Sequence, residues 1–260
     1  MKELILLIGD CEGVKTSLLS SLEKEGFSIG KLGSNKTILE VIKNEKNPCF
    51  ALSLPLKGAK EAVLSCKESK EISLTSILLS GLKQCFLSSY KAKETSTLMQ
   101  RTYPFVDAYL DIDGLSKEEL KTIIVDHLVL QNKQRPLLVF TSFGYKFGVP
   151  SDAHFVFDCR GLPNPFWVPE LRPLNGLDQP VIDFLKDKEE IDSFLQETSD
   201  YLEKRFLAAK EKGSLCQLVY LGCTGGHHRS VYLVEELAKR FSTSYSVVKL
   251  HRDLKKGEML

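Results

Sequence analysis

Neither sign of charge dominates this sequence: 35 Lys and Arg stand against 34 Asp and Glu in 260 residues. A global field for polyanions is therefore excluded, and any nucleic-acid contact has to be local. No apolar run reaches the roughly 18 residues that a membrane-spanning helix requires. The opening stretch Met1–Ile8 is too short and too soon interrupted for a secretory signal. Cysteines 11, 49, 66, 85, 159, 216 and 223 are scattered, odd in number and without a CxxC pair. That pattern points to free thiols in a reducing cytoplasm rather than to disulfides or structural zinc. His227 and His228 have no third ligand at a suitable spacing, so no metal site is expected. Internal repeats and low-complexity segments are also missing.

What remains is an alternation of short apolar runs with helical patterns, the signature of a parallel α/β fold. Strands are expected at Leu4–Ile8, Phe50–Leu54, Gln84–Leu87, Ala108–Ile112, Leu137–Thr141, 155–159, Leu218–Leu221 and Ser246–Leu250. Helices are expected at Thr16–Lys24, Glu71–Leu82, from Ser116 to Leu130, over about 181–212, and from Arg229 onward. Ser116 followed by Glu119 is a capping-box pair. The polar stretch 131–136 reads as a linker, which predicts domains at 1–131 and 136–260. A proline-rich loop, 160–180, carries the only Trp; a loop that long in a compact domain is usually functional.

The most informative segment is Gly222-Cys223-Thr224-Gly225-Gly226-His227-His228-Arg229-Ser230. An apolar strand leads into it and an amphipathic helix leaves it. Free N–H groups and the positive end of the helix dipole converge there, the makings of an anion site. Gly225 and Gly226 permit the backbone to wrap an oxyanion. Arg229 adds a planar donor suited to phosphate. Cys223 and Arg229 also match the spacing of a cysteine-phosphatase loop. An enzymatic alternative would therefore use Cys223 as nucleophile, Arg229 on the phosphoryl group and Asp158 or Asp253 as general acid.

A second strand–turn–helix lies at Gly9-Asp10-Cys11-Glu12-Gly13-Val14-Lys15-Thr16. Its position and length match a phosphate-binding P-loop, an eight-residue turn with Lys15 for the outer phosphates of ATP or GTP and Thr16 for Mg²⁺. Val14 stands where that motif has glycine, so the motif is degenerate. A weak nucleotide hydrolase is the further enzymatic alternative.

Four segments together resemble the bacterial RapZ/YvcJ family. They are Ser142–Pro150, Phe157–Pro165, Arg172–Pro180 and Gly222–Ser230. The resemblance is marked from residue 137 onward and thin before it. Where the family has Asp-Val-Arg-Asn and Asp-Ala-Asp, this chain has Pro55-Leu56-Lys57-Gly58 and Ser88-Ser89-Tyr90. Phe166 replaces a common His. The resemblance implies an N-terminal P-loop NTPase-like parallel sheet and a C-terminal α/β domain, forming a regulator rather than an enzyme. It implies a glucosamine-6-phosphate pocket lined by Asp158, Arg160, Cys223, Thr224, Gly225, Gly226, His228, Arg229 and Ser230. It also implies a small RNA and a ribonuclease as partners, and a homo-oligomer is compatible with it. The basic tail, with Lys249, Arg252, Lys255 and Lys256, would meet RNA through backbone phosphates without base readout.

Overall fold

A computed structural model describes residues 1–30, 37–80, 102, 105–112, 115–131, 135–150, 153–211, 214 and 216–254. The strand expected at Gln84–Leu87, the segment Ser88–Tyr90 and the tail lysines Lys255 and Lys256 lie outside them. The chain divides into two compact units, Met1–Leu130 and Gln131–Leu260.

In the first unit the chain runs through β1 (Lys2–Ile8), α1 (Glu12–Lys24), β2 (Ser28–Gly30), α2 (Ile38–Asn44) and β3 (Cys49–Leu54). It continues with α3 (Ala59–Lys67), β4 (Ile72–Ser80), β5 (Ala108–Asp111) and α4 (Lys117–Lys121), which passes into a π-helix over Thr122–Gln131. The five strands are all parallel, in the order β2-β3-β1-β4-β5. Residues Leu4–Ile8 of β1 are fully buried, which is why this strand reads as one apolar run rather than an alternation. The expected capping box forms, with Ser116 Oγ accepting from Glu119 N–H and the Glu119 carboxylate accepting from Ser116 N–H.

Two expectations are corrected here. Glu71–Leu82 is not a helix: Ile72–Ser80 is β4, hydrogen-bonded between β1 and β5. Leu74, Ile77 and Leu78 mimic helical spacing, but Ser76–Leu79 are buried completely, as an interior strand requires. The helix lies upstream instead, at Ala59–Lys67. The second correction is the start of α1, at Glu12 rather than Thr16.

The second unit runs through β6 (Leu137–Gly144), a 3₁₀ turn at Tyr145–Phe147, β7 (Phe155–Asp158) and a second 3₁₀ turn at Pro165–Trp167. Then come α5 (Gln179–Lys186), α6 (Glu189–Glu211), β8 (Cys216–Cys223), α7 (Arg229–Phe241) and β9 (Ser246–His251). Its four strands are parallel in the order β7-β8-β6-β9. Every residue of β6 is buried. Val234, Leu237 and Phe241 of α7 meet Leu195, Leu202 and Phe206 of α6 in one core, with the Phe206 and Phe241 rings 5.4 Å apart, edge to face. The two central strands end together, Gly144 opposite Cys223. Ligands of open parallel sheets gather at such carboxyl ends. Among the described residues no helix is long and apolar enough to cross a membrane.

Candidate functional site

Beyond Cys223 the chain turns sharply, because Gly226 takes φ +70°, and enters α7 at Arg229. The turn packs onto the end of β6. A Cβ on Gly144 would lie 2.6 Å from the Gly225 carbonyl carbon, so only glycine allows that approach. Asp253, fully buried, accepts a hydrogen bond from Gly144 N–H at 2.9 Å and one from Arg252 Nη2 at 2.7 Å, fixing the same strand end from behind.

Within the turn, Cys223 Sγ lies 3.2 Å from Ser230 Oγ and accepts from Gly226 N–H at 3.2 Å. Burial by itself would raise this thiol's pKa. The Ser230 hydroxyl, the Ser230 and His227 backbone amides and the Arg229 charge outweigh it and bring it below the ordinary thiol value. Cys159, also buried, shows the opposite result: desolvation dominates and its thiol is raised well above normal. The loop therefore favours negative charge at its centre.

Arg229 is 4 % exposed and donates through Nη1 to Arg160 O at 2.7 Å and Leu162 O at 3.1 Å. Its Nε is buried with no hydrogen-bond partner among the described residues. An orphaned buried donor on a guanidinium costs about 1–3 kcal/mol unless a ligand meets it. His228 is held neutral, chiefly by burial, with Nε2 3.2 Å from Leu171 O. It thereby ties the proline-rich loop to the head of α7. Gly176 N–H completes that tie by donating to His227 O at 2.9 Å.

Above the turn lies a cavity of about 880 Å³. Of the residues expected to bind sugar phosphate, Cys223, Thr224, Gly225, His228 and Arg229 line it. Gly226 and Ser230 lie in the turn below, where Ser230 is fully buried against Cys223. Asp158 and Arg160 do not line it. They pair with each other, Arg160 Nη2 to Asp158 Oδ2 at 2.6 Å, and the Arg160 hydrogen bond holds the Asp158 carboxyl below the usual carboxylate range. The wall residues given no individual ligand role from sequence are His227 and, from the proline-rich loop expected to be functional as a whole, Asn164, Phe166, Trp167, Pro169, Arg172 and Pro173. The lone Trp within that loop was the available signal.

The cysteine-phosphatase geometry is met in part. The thiolate-stabilising contacts are present, but Arg229 Nη1 is committed to two carbonyls. Asp158 is ionised against Arg160 and Asp253 is buried under Arg252, so neither is a general acid.

The N-terminal turn looks different. Only Gly9–Cys11 separate β1 from α1, so the expected eight-residue cradle is not formed. Glu12–Thr16 lie in α1 instead: Lys15 N–H donates to Cys11 O at 3.1 Å, and Val14, being β-branched, does not take the positive φ open to glycine. Lys15 Nζ is fully buried, donating to Gly9 O at 2.5 Å and Leu54 O at 3.0 Å and pairing with Glu12 at 2.6 Å. The ammonium expected to reach the outer phosphates of ATP or GTP is thus engaged within the fold. Cys11, the N-cap of α1, is disulfide-bonded, which corrects the expectation of free thiols at this position. Scattered spacing gives no sign of a bond closed by tertiary structure. Cys49, Cys66, Cys159, Cys216 and Cys223 are free. Among the described residues no group of three or more His, Cys, Asp or Glu side chains could hold a metal.

At the tail, Lys249 pairs with Glu235 at 2.6 Å, and Arg252 bonds Asp253 and Gly148 O, the latter at 2.7 Å. The two described residues expected to contact RNA, Lys249 and Arg252, are thus engaged within the fold.

The profile of the RapZ C-terminal domain matches residues 136–255. Residues 136–255 are thus similar to the RapZ C-terminal domain. A nucleotide-binding protein of Actinobacillus pleuropneumoniae is 43% identical over 163 residues, 62% of this chain and 57% of the relative. The RNase adapter protein RapZ of Yersinia pseudotuberculosis is 40% identical over 164 residues, 63% of this chain and 58% of the relative. A nucleotide-binding protein of Pseudoalteromonas atlantica is 42% identical over 149 residues, 57% and 53% of the respective chains. The chain thus spans little more than half the length of these relatives.

Proposed function

We propose that this chain is a cytoplasmic regulatory protein of the RNase-adapter type, sensing a phosphorylated amino sugar such as glucosamine-6-phosphate in its C-terminal cavity. The observation that carries this is Arg229, a buried guanidinium among the residues lining the cavity, whose Nε has no hydrogen-bond partner among the described residues. The loop that lowers the Cys223 thiol pKa would accept a phosphate for the same electrostatic reason. Relatives named as RNase adapters support a small RNA and a ribonuclease as partners. Lys249, 45 % exposed, is the described tail residue best placed to exchange its carboxylate for an RNA phosphate.

Calorimetric titration of glucosamine-6-phosphate into the full chain tests this. Arg229→Ala is expected to weaken binding about tenfold to a hundredfold, the scale of a charge-assisted hydrogen bond. Because Arg229 also supports residues 160–162, Gly225→Asp is the companion variant. No backbone atom lies within 4 Å of a Cβ there, only the end of Lys146, so the fold tolerates it while its carboxylate repels phosphate. Wild-type affinity in Gly225→Asp would sink the assignment.

A further inference from the structure

Part of the cavity wall has nothing to do with an anion. The turn Pro165–Trp167 presents two aromatic rings at the rim, Phe166 42 % and Trp167 74 % exposed. They stand edge to face with centroids 5.5 Å apart. The turn is built rather than frayed. Asn164 Oδ1 accepts from Phe166 N–H at 3.3 Å, Arg172 Nε donates to Phe166 O at 3.1 Å, and the Arg172 guanidinium sits 4.7 Å from the Phe166 ring. Folding gives no reason to fix an indole and then leave most of it in water. At about 880 Å³ the cavity is also near the top of the range, about 300–1,000 Å³, that encloses whole drug-sized ligands.

Cationic groups run from one end to the other. Arg229 lies at the anion loop, the Lys146 ammonium is above Gly225, and Arg172 is beside Phe166 at the rim. We propose that the cavity takes a nucleoside phosphate, its phosphate on the loop at the head of α7 and its base stacked against Trp167. The proposal rests on the reading of residues 222–230 as a phosphate site and adds to it the chemistry of the far end. Every base has a π-face, so such a platform selects for a base over none while discriminating little among bases. Nucleotide recognition then involves the C-terminal unit, whereas the Lys15 ammonium of the N-terminal turn is engaged within the fold.

Trp167 is the only tryptophan of the chain, so its intrinsic fluorescence reports the contact directly. Full-length protein is titrated with adenosine 5′-monophosphate, ribose 5-phosphate, glucosamine-6-phosphate and an oligoadenylate, by fluorescence and calorimetry. Adenosine monophosphate is expected to quench Trp167 and to bind about tenfold or more tighter than ribose 5-phosphate, on the scale of one stacked base. Trp167→Ala, at an exposed position, should bring its affinity down to that of ribose 5-phosphate and leave ribose 5-phosphate and glucosamine-6-phosphate unchanged. Thr16→Ala, exposed on α1, should leave all affinities as they are. Equal binding of the nucleotide and ribose 5-phosphate, both indifferent to Trp167→Ala, would overturn the stacking proposal while the phosphate site stands. Loss of nucleotide binding in Thr16→Ala would overturn it by relocating the site. Binding of the oligoadenylate without the mononucleotide would overturn it in favour of a strand surface. No binding of any monophosphate would remove the underlying phosphate site as well.

Discussion

The two glycine-containing turns of this chain carry the same parts and put them to opposite uses. Gly9–Thr16 and Gly222–Ser230 each follow a buried parallel strand, open a 13-residue helix and supply a cation at its head. At the first, the helix starts four residues earlier than the motif suggests, and Lys15 Nζ is consumed by two carbonyls and Glu12. At the second, Gly226 holds the turn open at φ +70°, Cys223 is biased toward thiolate, and Arg229 keeps one buried donor uncommitted beside a cavity. A strand–turn–helix with a basic residue is thus only a necessary condition for an anion site. Whether the cation is still available separates the two turns.

The largest expected effect that would break this contrast comes from Gly226→Ala. A Cβ there meets Gly144 N at 2.6 Å in a left-handed backbone, so the second unit should lose several kcal/mol, on the order of 2–5, in thermal or urea melts. A loss under about 1 kcal/mol would show that the turn is not held by that approach to β6. Lys15→Met sharpens the other side. Gly9 O and Leu54 O lose their donor, at a cost of about 1–3 kcal/mol, while affinity for phosphorylated ligands stays at the wild-type value. Reduced ligand affinity with an intact fold would reopen the N-terminal turn as a site.

The smallest effect is in pH. His154, His228 and His251 of the second unit all have pKa values held below 6.5, chiefly by burial. As pH falls through about 6.5 the unfolded chain takes up protons first. Their contribution to stability is therefore complete above that pH and lost progressively below it. In the first unit only His127 acts this way. Melting between pH 7.5 and 5 should show the second unit giving way first; equal sensitivity of the two units would contradict the burial argument.

Much of this was legible beforehand. Completely buried runs such as Leu4–Ile8 and Leu137–Thr141 declare parallel strands, and the amphipathic face of Arg229–Phe241 declares its helix. Two elements misled. The segment Ile72–Ser80 spaces its apolar residues like a helix but sits inside a sheet, and local periodicity does not contain the neighbouring strands that decide this. Asp158 and Arg160 look like ligand groups by motif, yet their opposite charges satisfy each other at 2.6 Å.

By itself the sequence determined the parallel α/β class and the loop at Gly222–Ser230, because alternating apolar runs and glycine-rich turns are local properties of a chain. Only the tertiary structure decided that Lys15 is buried, that Arg229 Nε is orphaned, and that Trp167 faces the same cavity as Cys223. Those facts depend on which distant carbonyls, strand ends and loops come within a few ångströms of one another, and residue order alone does not state that.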